Sequence, residues 1–207
     1  MENSLYAWFD TEYSSLDLEK AVILQVALLI TDSNLERVLP AERDVRLTVK
    51  LPEGAEVSPW VQEHLPDLVR QCRSSAAIAI AEVDDRLCAY VSDAVESLVH
   101  GTDERPVLAG NSIHADWWLA RRFLPNFLEH LHYRQLDVTA FKLEWKRLHG
   151  HEFDKDEVGN VAKWFPHANI HTLEKHDAYY DVQASIAELA FYRRHLFIEG
   201  DARGEKD

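Results

Sequence analysis

Residues 5–12 read LYAWFDTE, an apolar run that ends in two carboxylates. Side chains alternate along a strand, so Tyr6, Trp8, Asp10 and Glu12 share one face and Leu5, Ala7 and Phe9 the other. Both faces stay apolar as far as Phe9, which predicts a central strand covered on each side. Residues 21–31 (AVILQVALLIT) form a long, largely β-branched run and residues 45–51 (VRLTVKL) alternate, giving three consecutive strands that are best read as antiparallel.

Further along, short helices are expected at 60–65 and 68–72, interrupted by Pro66, and Ser74 or Ser75 is placed to cap a long helix running to about residue 99. Residues 105–108 with Ala109-Gly110-Asn111 read as a strand ending in a turn, and 113–123 as a helix. Residues 134–138 read as a fifth strand, with Thr139 capping a helix to Leu148, and 177–197 as an amphipathic final helix. Residues 149–170 carry no strong period. Three strands followed by alternating strands and helices argue for an α/β fold, a mixed five-stranded sheet flanked by helices. One domain over 1–207 is the simplest division, with 149–170 an insertion or extended loop and 199–207 a C-terminal tail.

Composition narrows the function classes. The chain has 207 residues, 46% of them hydrophobic, enough to fill one sizeable core. Its two cysteines, Cys72 and Cys88, make no disulfide framework and read as packed free thiols on or near a helix, in a reducing compartment. The start, Met1-Glu2-Asn3-Ser4, lacks the positive charge of a signal peptide, and no apolar run reaches the ~18 residues of a membrane span, so a soluble, cytoplasmic protein is expected. The 22 Lys and Arg against 36 Asp and Glu leave a net charge of −14. Proteins that grip long nucleic acid are usually basic, so a nucleic-acid substrate of this chain should be short and long duplexes are not expected as partners.

Two helices carry acids where apolar residues belong. Ala178, Val182, Ile186 and Leu189 form an inward stripe that contains Asp181, and Asp116 heads the stripe Leu119, Ala120, Phe123. A charge facing a core must be paired with a base, capped by backbone N–H groups or bound to a cation. Asp116 as a helix-start residue and Asp181 paired with a Lys or Arg is one reading. With Asp10 and Glu12 the set becomes four carboxylates on three elements, which cannot stay close and ionised without cations. Two Mg²⁺ or Mn²⁺ ions would relieve the repulsion and fit hydrolysis of a phosphodiester. His176, five residues before Asp181, reaches the same place only from the helix start or before it, and a neutral imidazole there is a candidate general base. One surface histidine among 11 is the alternative.

The ordered set Asp10-x-Glu12, Asp116 and His176-x4-Asp181 resembles the DEDDh group of 3′-to-5′ exonucleases, of ribonuclease H-like fold, and within it the oligoribonucleases. The matching pieces are FDTEYSSLDLEKAVILQVALLITDSNL at 9–35, LAGNSIHAD at 108–116, LHYRQLDVTAFK at 131–142 and HDAYYDVQASIAELAFYR at 176–193. The resemblance implies a homodimer that degrades very short RNA, especially dinucleotides, to mononucleotides. It implies that Asp10, Glu12, Asp116 and Asp181 organise two divalent cations and that His176 is the base. Leu16 matches a wedge against a base, and Trp60 with His64 a pair that stacks on or abuts the bases. Ser112, Arg134 and Thr139 match a cap on the substrate's 5′ phosphate, Leu143 stands at a possible fourth cap position, and Tyr133 would reach the substrate from the partner subunit.

Plainer readings stand beside these. Trp60 and Tyr133 can be core aromatics, Ser112 the end of a turn and Arg134 a surface base. His149, His151, His167 and His171 lack the spacing of a structural zinc site and read as a solvated loop. Two other functions compete: an exonuclease trimming longer single-stranded DNA or RNA, like ribonuclease T or a proofreading subunit, and a non-catalytic nucleotide-binding module. The cap residues and the acidic charge disfavour the first, and retention of all five chemical residues the second.

Overall fold

The computed structural model describes residues 5–96, 105–169 and 177–196. Among them five strands, β1 (Tyr6–Tyr13), β2 (Ile23–Thr31), β3 (Val45–Thr48), β4 (Val107–Gly110) and β5 (His132–Asp137), form one sheet in the order β3-β2-β1-β4-β5. The pairs β1/β2 and β2/β3 are antiparallel, and β1/β4 and β4/β5 are parallel. The mixed sheet is as the order of strands and helices along the chain predicts, and the central place of β1 as the two apolar faces of residues 5–9 predict.

Helices cover both faces. Leu5, Ala7 and Phe9 pack with Val83 and Leu87 of α3 (Ile80–Glu96), Leu119 of α4 (Ile113–Phe123) and Phe127 of α5 (Pro125–Glu129). On the other face Trp8, Ala27 and Leu29 meet Trp145 of α6 (Val138–His149), Val161 of α7 (Asn160–Trp164) and Val182 and Ile186 of α8 (Ala178–Leu196). Two short helices, α1 (Pro59–His64) and α2 (Pro66–Cys72), close over Leu24 through Val61, Leu65, Val69 and Cys72. Burying this apolar surface is the main stabilising term. No helix among the described residues is long and apolar enough to cross a membrane.

Several local expectations change. Pro66 opens α2 at its first turn rather than only interrupting a helix. Helix α3 begins at Ile80, not after Ser75, because Ile78 first bridges to Val49 alongside the sheet; residues 97–99 lie outside the described residues. The cap of α6 is Asp137, whose carboxylate accepts the Thr139 N–H at 2.9 Å, rather than Thr139 itself. Helix α8 is not amphipathic: every residue from Val182 to Leu189 is buried, since the sheet, α6 and α7 all pack on it. Part of 149–170 is ordered as α7, and Phe153, Val161 and Phe165 are buried. The tail 199–207 lies outside the described residues.

Strand lengths set the position of the site. Strand β4 pairs with β1 only from Tyr6 to Trp8, so Asp10 to Tyr13 run on with β2 on one side and no β4 on the other. Gly110 ends β4 tightly against β1, where a Cβ would stand 2.9 Å from the Phe9 carbonyl oxygen. The chain then turns through Ser112, in the left-handed region at φ 49°, and starts α4 beside the free end of β1.

Candidate active site

Alternation aims Asp10 and Glu12 at the α8 layer, where Asp181 stands in the first turn of the helix. Each of these three carboxylates offers an oxygen within 4.8 Å of the other two. Asp116 arrives from the opposite layer, on α4. Its Oδ1 accepts the Thr11 N–H at 2.8 Å and the Thr11 hydroxyl at 2.7 Å, so a backbone amide and a hydroxyl of β1 itself hold this buried acid. Thr11, pointing away from Asp10 and Glu12, thereby ties α4 to the strand that carries them. The alternation that separates Asp10 and Glu12 from Thr11 gives no hint of that contact.

The electrostatics are those of crowded acids. Burial, then Asp116, Asp181 and Glu12, hold the Asp10 carboxyl well above the usual range, with Lys155 acting in the opposite direction. Burial, then Asp181, Asp116 and Asp177, push Glu12 up to about 8. Asp116 is pushed up to about 7 by burial, against the lowering effect of its Thr11 bonds. Among the described residues no hydrogen bond reaches the carboxylates of Asp10 or Glu12. Oxygen donors of this charge and spacing fit a hard divalent cation, which would replace mutual repulsion with attraction.

Asp181 also forms an ion pair with Lys155, so the pairing with a base expected as one alternative and the convergence with other acids both occur. The start of α8 is fixed by Asp177. Its carboxylate accepts the Tyr179 N–H at 3.0 Å and takes Arg46 as an ion-pair partner, while the Gln25 side chain accepts the Ala178 N–H at 2.9 Å. Gln25 sits opposite Glu12 in the sheet register, so one cross-strand pair locates both a site acid and the helix end. His176, expected as the base, lies outside the described residues, immediately before Asp177. Thr11, Lys155, Asp177 and Gln25 were not singled out by sequence.

A cavity of about 480 Å³ opens beside Glu12, lined by Thr11, Tyr13, Leu16, Trp60 and Leu65. Leu16 is 89% exposed and Trp60 49%, which rules out Trp60 as a core aromatic. His64 stacks on the Trp60 ring, centroids 4.3 Å apart and planes 10° apart, and its Nδ1 lies 2.9 Å from the Trp60 carbonyl. Ser112 and Thr139 come together: the Ser112 N–H donates to Thr139 Oγ1 at 2.7 Å and to Asp137 Oδ1 at 3.0 Å. Thr139 donates in turn to Asn111, whose amide donates to Glu188 of α8 at 2.7 Å. Arg134 is associated instead with Tyr133, its guanidinium 5.4 Å from the ring centroid, and Tyr133, 80% exposed on edge strand β5, is not a core residue either. Leu143 is exposed on α6. His149 and His151 lie against Trp145 and His167 pairs with Glu36; no group of histidines able to hold a metal occurs among the described residues, and His171 lies outside them. Cys72 is buried, its Sγ 3.3 Å from the Leu24 carbonyl, and Cys88 is half-buried in α3.

A family model described as exonuclease (RNase_T) matches residues 7–189. The chain belongs to this exonuclease family. It is 32% identical over 197 residues to the oligoribonuclease of Corynebacterium glutamicum, covering 92% of this chain and 79% of that one. It is 31% identical to the probable oligoribonuclease of Schizosaccharomyces pombe, covering 91% and 67%. The exonuclease also shares its fold with exonuclease I of Methylocaldum szegediense, at a TM-score of 0.63 and 20% identity over 93% of this chain and 41% of that larger one. The chain thus spans about two-fifths of such solved structures. Family and relatives make it a 3′-to-5′ exonuclease with the ribonuclease H-like fold expected from its motifs, and the family together with the acid cluster suggests divalent-metal binding.

Proposed function

We propose that this exonuclease hydrolyses short RNA, dinucleotides above all, to 5′-mononucleotides with two Mg²⁺ or Mn²⁺ ions. The convergence of Asp10, Glu12 and Asp181 within 4.8 Å, beside a cavity walled by exposed Leu16 and Trp60, carries this reading. Asp10, Glu12 and Asp181 hold the ions and Asp116, anchored by Thr11, contributes directly or through water. Bound there, the cations supply stabilisation of the phosphoryl charge and acidify water. His176, next in sequence to Asp177, takes the proton of the attacking water. Water's oxygen joins phosphorus, the P–O3′ bond breaks, and the leaving 3′ oxygen ends protonated.

Leu16, Trp60 and His64 receive the bases: a flat indole backed by an imidazole is a stacking platform indifferent to base identity. Ser112 and Thr139, with Arg134, cap the 5′ phosphate through hydroxyls and one charge-assisted contact. Such a cap limits substrate length without a basic groove, in keeping with the net charge of −14. The enzyme acts as a homodimer in which Tyr133, exposed on an edge strand, reaches the partner's substrate, and in the cytoplasm, where Cys72 and Cys88 stay reduced.

The test is a time course with 5′-labelled RNA of two to seven nucleotides and a DNA dinucleotide, in Mg²⁺, Mn²⁺ and EDTA, beside His176→Ala. Rapid, EDTA-sensitive loss of the RNA dinucleotide with slower attack on the heptamer is expected. Equal or faster cleavage of long chains or DNA refutes the length and sugar preference, and sedimentation as a monomer at micromolar concentration refutes the role of Tyr133.

A further inference from the structure

Lys155 lies in the stretch 149–170, which no periodicity explains, yet its ammonium pairs with Asp181 in the carboxylate cluster. The backbone that delivers it is pinned on both sides. Phe153, two residues earlier, is buried against Phe191 and donates its N–H to the Tyr192 hydroxyl at 3.4 Å. The carbonyl of Lys155 itself accepts a hydrogen bond from Tyr180, the neighbour of Asp181 on α8. Asp154 accepts the Asp156 N–H at 2.9 Å through its side chain, and its carbonyl accepts the Asn160 amide at 2.8 Å, closing the turn that leads into α7. One turn of α8 therefore holds both partners of the ion pair. The positive charge also eases ionisation of Asp10 and Glu12, so its field covers the whole cluster.

We infer that Lys155 is a built-in counter-ion of the carboxylate cluster that competes with the divalent cation at Asp181, and so sets the metal concentration at which the enzyme becomes loaded. The inference rests on the reading above that Asp10, Glu12 and Asp181 hold the metal. An ammonium on one of three ligands opposes a second cation in two ways: it occupies lone pairs of Asp181 and repels any positive charge placed among the same oxygens. The backbone held through Phe153 and Tyr180 keeps the ammonium within reach of the cluster, so it can return to Asp181 whenever the cation leaves. In return, the cluster has a partner when metal is scarce.

The measurement is a Mn²⁺ titration of the full chain by calorimetry or electron paramagnetic resonance. Removing one partly exposed charge, in Lys155→Met, should tighten binding about 5-fold. Lys155→Arg, which keeps the charge, should bind Mn²⁺ as the parent does. In EDTA, Lys155→Met should melt lower than the parent, and added Mn²⁺ should raise its melting temperature by more. Lys155→Gln gives the same readings if the methionine variant does not fold. Asp181→Asn separates the two layers of the claim. If it weakens Mn²⁺ binding while Lys155→Met, with a native circular dichroism spectrum, binds no tighter, the counter-ion inference is overturned and the metal site stands. If Asp181→Asn leaves the affinity unchanged, both are overturned.

Discussion

Glu12→Gln should stabilise the metal-free protein while destroying the enzyme. Glu12 faces Asp10 and Asp181 across 4.8 Å or less, and burial followed by Asp181, Asp116 and Asp177 lifts its pKa from 4.5 to about 8. Below pH 4.5 Glu12 is neutral folded and unfolded, and nothing is lost. As the pH rises toward 8 the unfolded chain releases a proton that the folded chain retains, so stability declines through this window and the loss is complete above the folded value. A shift of this size corresponds to roughly 4–5 kcal/mol at most. Partial exposure and relaxation of neighbouring acids reduce it, and ~2 kcal/mol is the reasonable working figure. For a chain of this size that is ~4–8 °C in melting temperature.

The assay is a set of thermal melts in EDTA at pH 5, 6.5 and 8. Wild type should melt progressively lower toward pH 8, the glutamine variant should lose less, and the gap should be widest at pH 8. Saturating Mg²⁺ should raise the wild-type melting temperature at pH 8 and raise the variant's little, since the variant has lost a ligand. If Glu12→Gln melts at or below wild type at pH 8 with an unchanged circular dichroism spectrum, the carboxylates do not repel one another as the geometry requires.

Three further outcomes test the scaffold and two separate parts of the site. Asp84, buried in α3, accepts the N–H groups of Asn126 and Phe127 at 3.2 and 2.7 Å, so Asp84→Ala should cost about 2–3 kcal/mol in urea denaturation. Its activity per folded molecule should stay at the wild-type level. Thr139→Val removes the hydroxyl that joins Ser112 to Asn111 and should raise KM for a 5′-phosphorylated dinucleotide by about 10-fold with kcat nearly constant; an unchanged KM would discard the phosphate cap. His176→Ala should lower kcat by about 10²- to 10⁴-fold without changing Mn²⁺ affinity, and a parallel loss of affinity would make His176 a ligand rather than a base.

The parts of this fold legible in the sequence are those written in short-range period. Alternation through residues 5–12 predicts the central strand, its two faces and the two carboxylates on one of them, because the run is apolar on both faces up to Phe9 and the acids follow at alternate positions. The spacing of Ala178, Val182, Ile186 and Leu189 pointed Asp181 at the same place. The rest depends on contacts that no period encodes. Thr11 and Asp116 are 105 positions apart, and their bond requires β4 to stop at Gly110 so that α4 can approach β1. Ser74 is a plausible helix cap locally, but the bridge of Ile78 to Val49 takes the chain alongside the sheet first. Lys155 reaches Asp181 only because Phe153 and α7 fold an aperiodic stretch onto α8.

Partner accounting then separates the acids that shape the fold from those that do chemistry. Asp44 is held by Arg37, Tyr179 and Tyr90; Glu188 by Asn111, Lys142 and Tyr192; Asp84 by two backbone amides. Each of these charges sits in or beside the core, and each is compensated within the chain, as burial demands. Asp116 is compensated by Thr11, and Asp181 by a lysine that reaches it from a distant turn. Asp10 and Glu12 are different, because among the described residues neither carboxylate accepts a hydrogen bond, although burial and three neighbouring acids oppose the charge of each. Selection of a stable fold alone would replace such residues by Asn, Gln or an apolar side chain. Lys155 offsets part of this charge, and a divalent cation with its phosphate-bearing substrate would supply the rest at the moment the enzyme works.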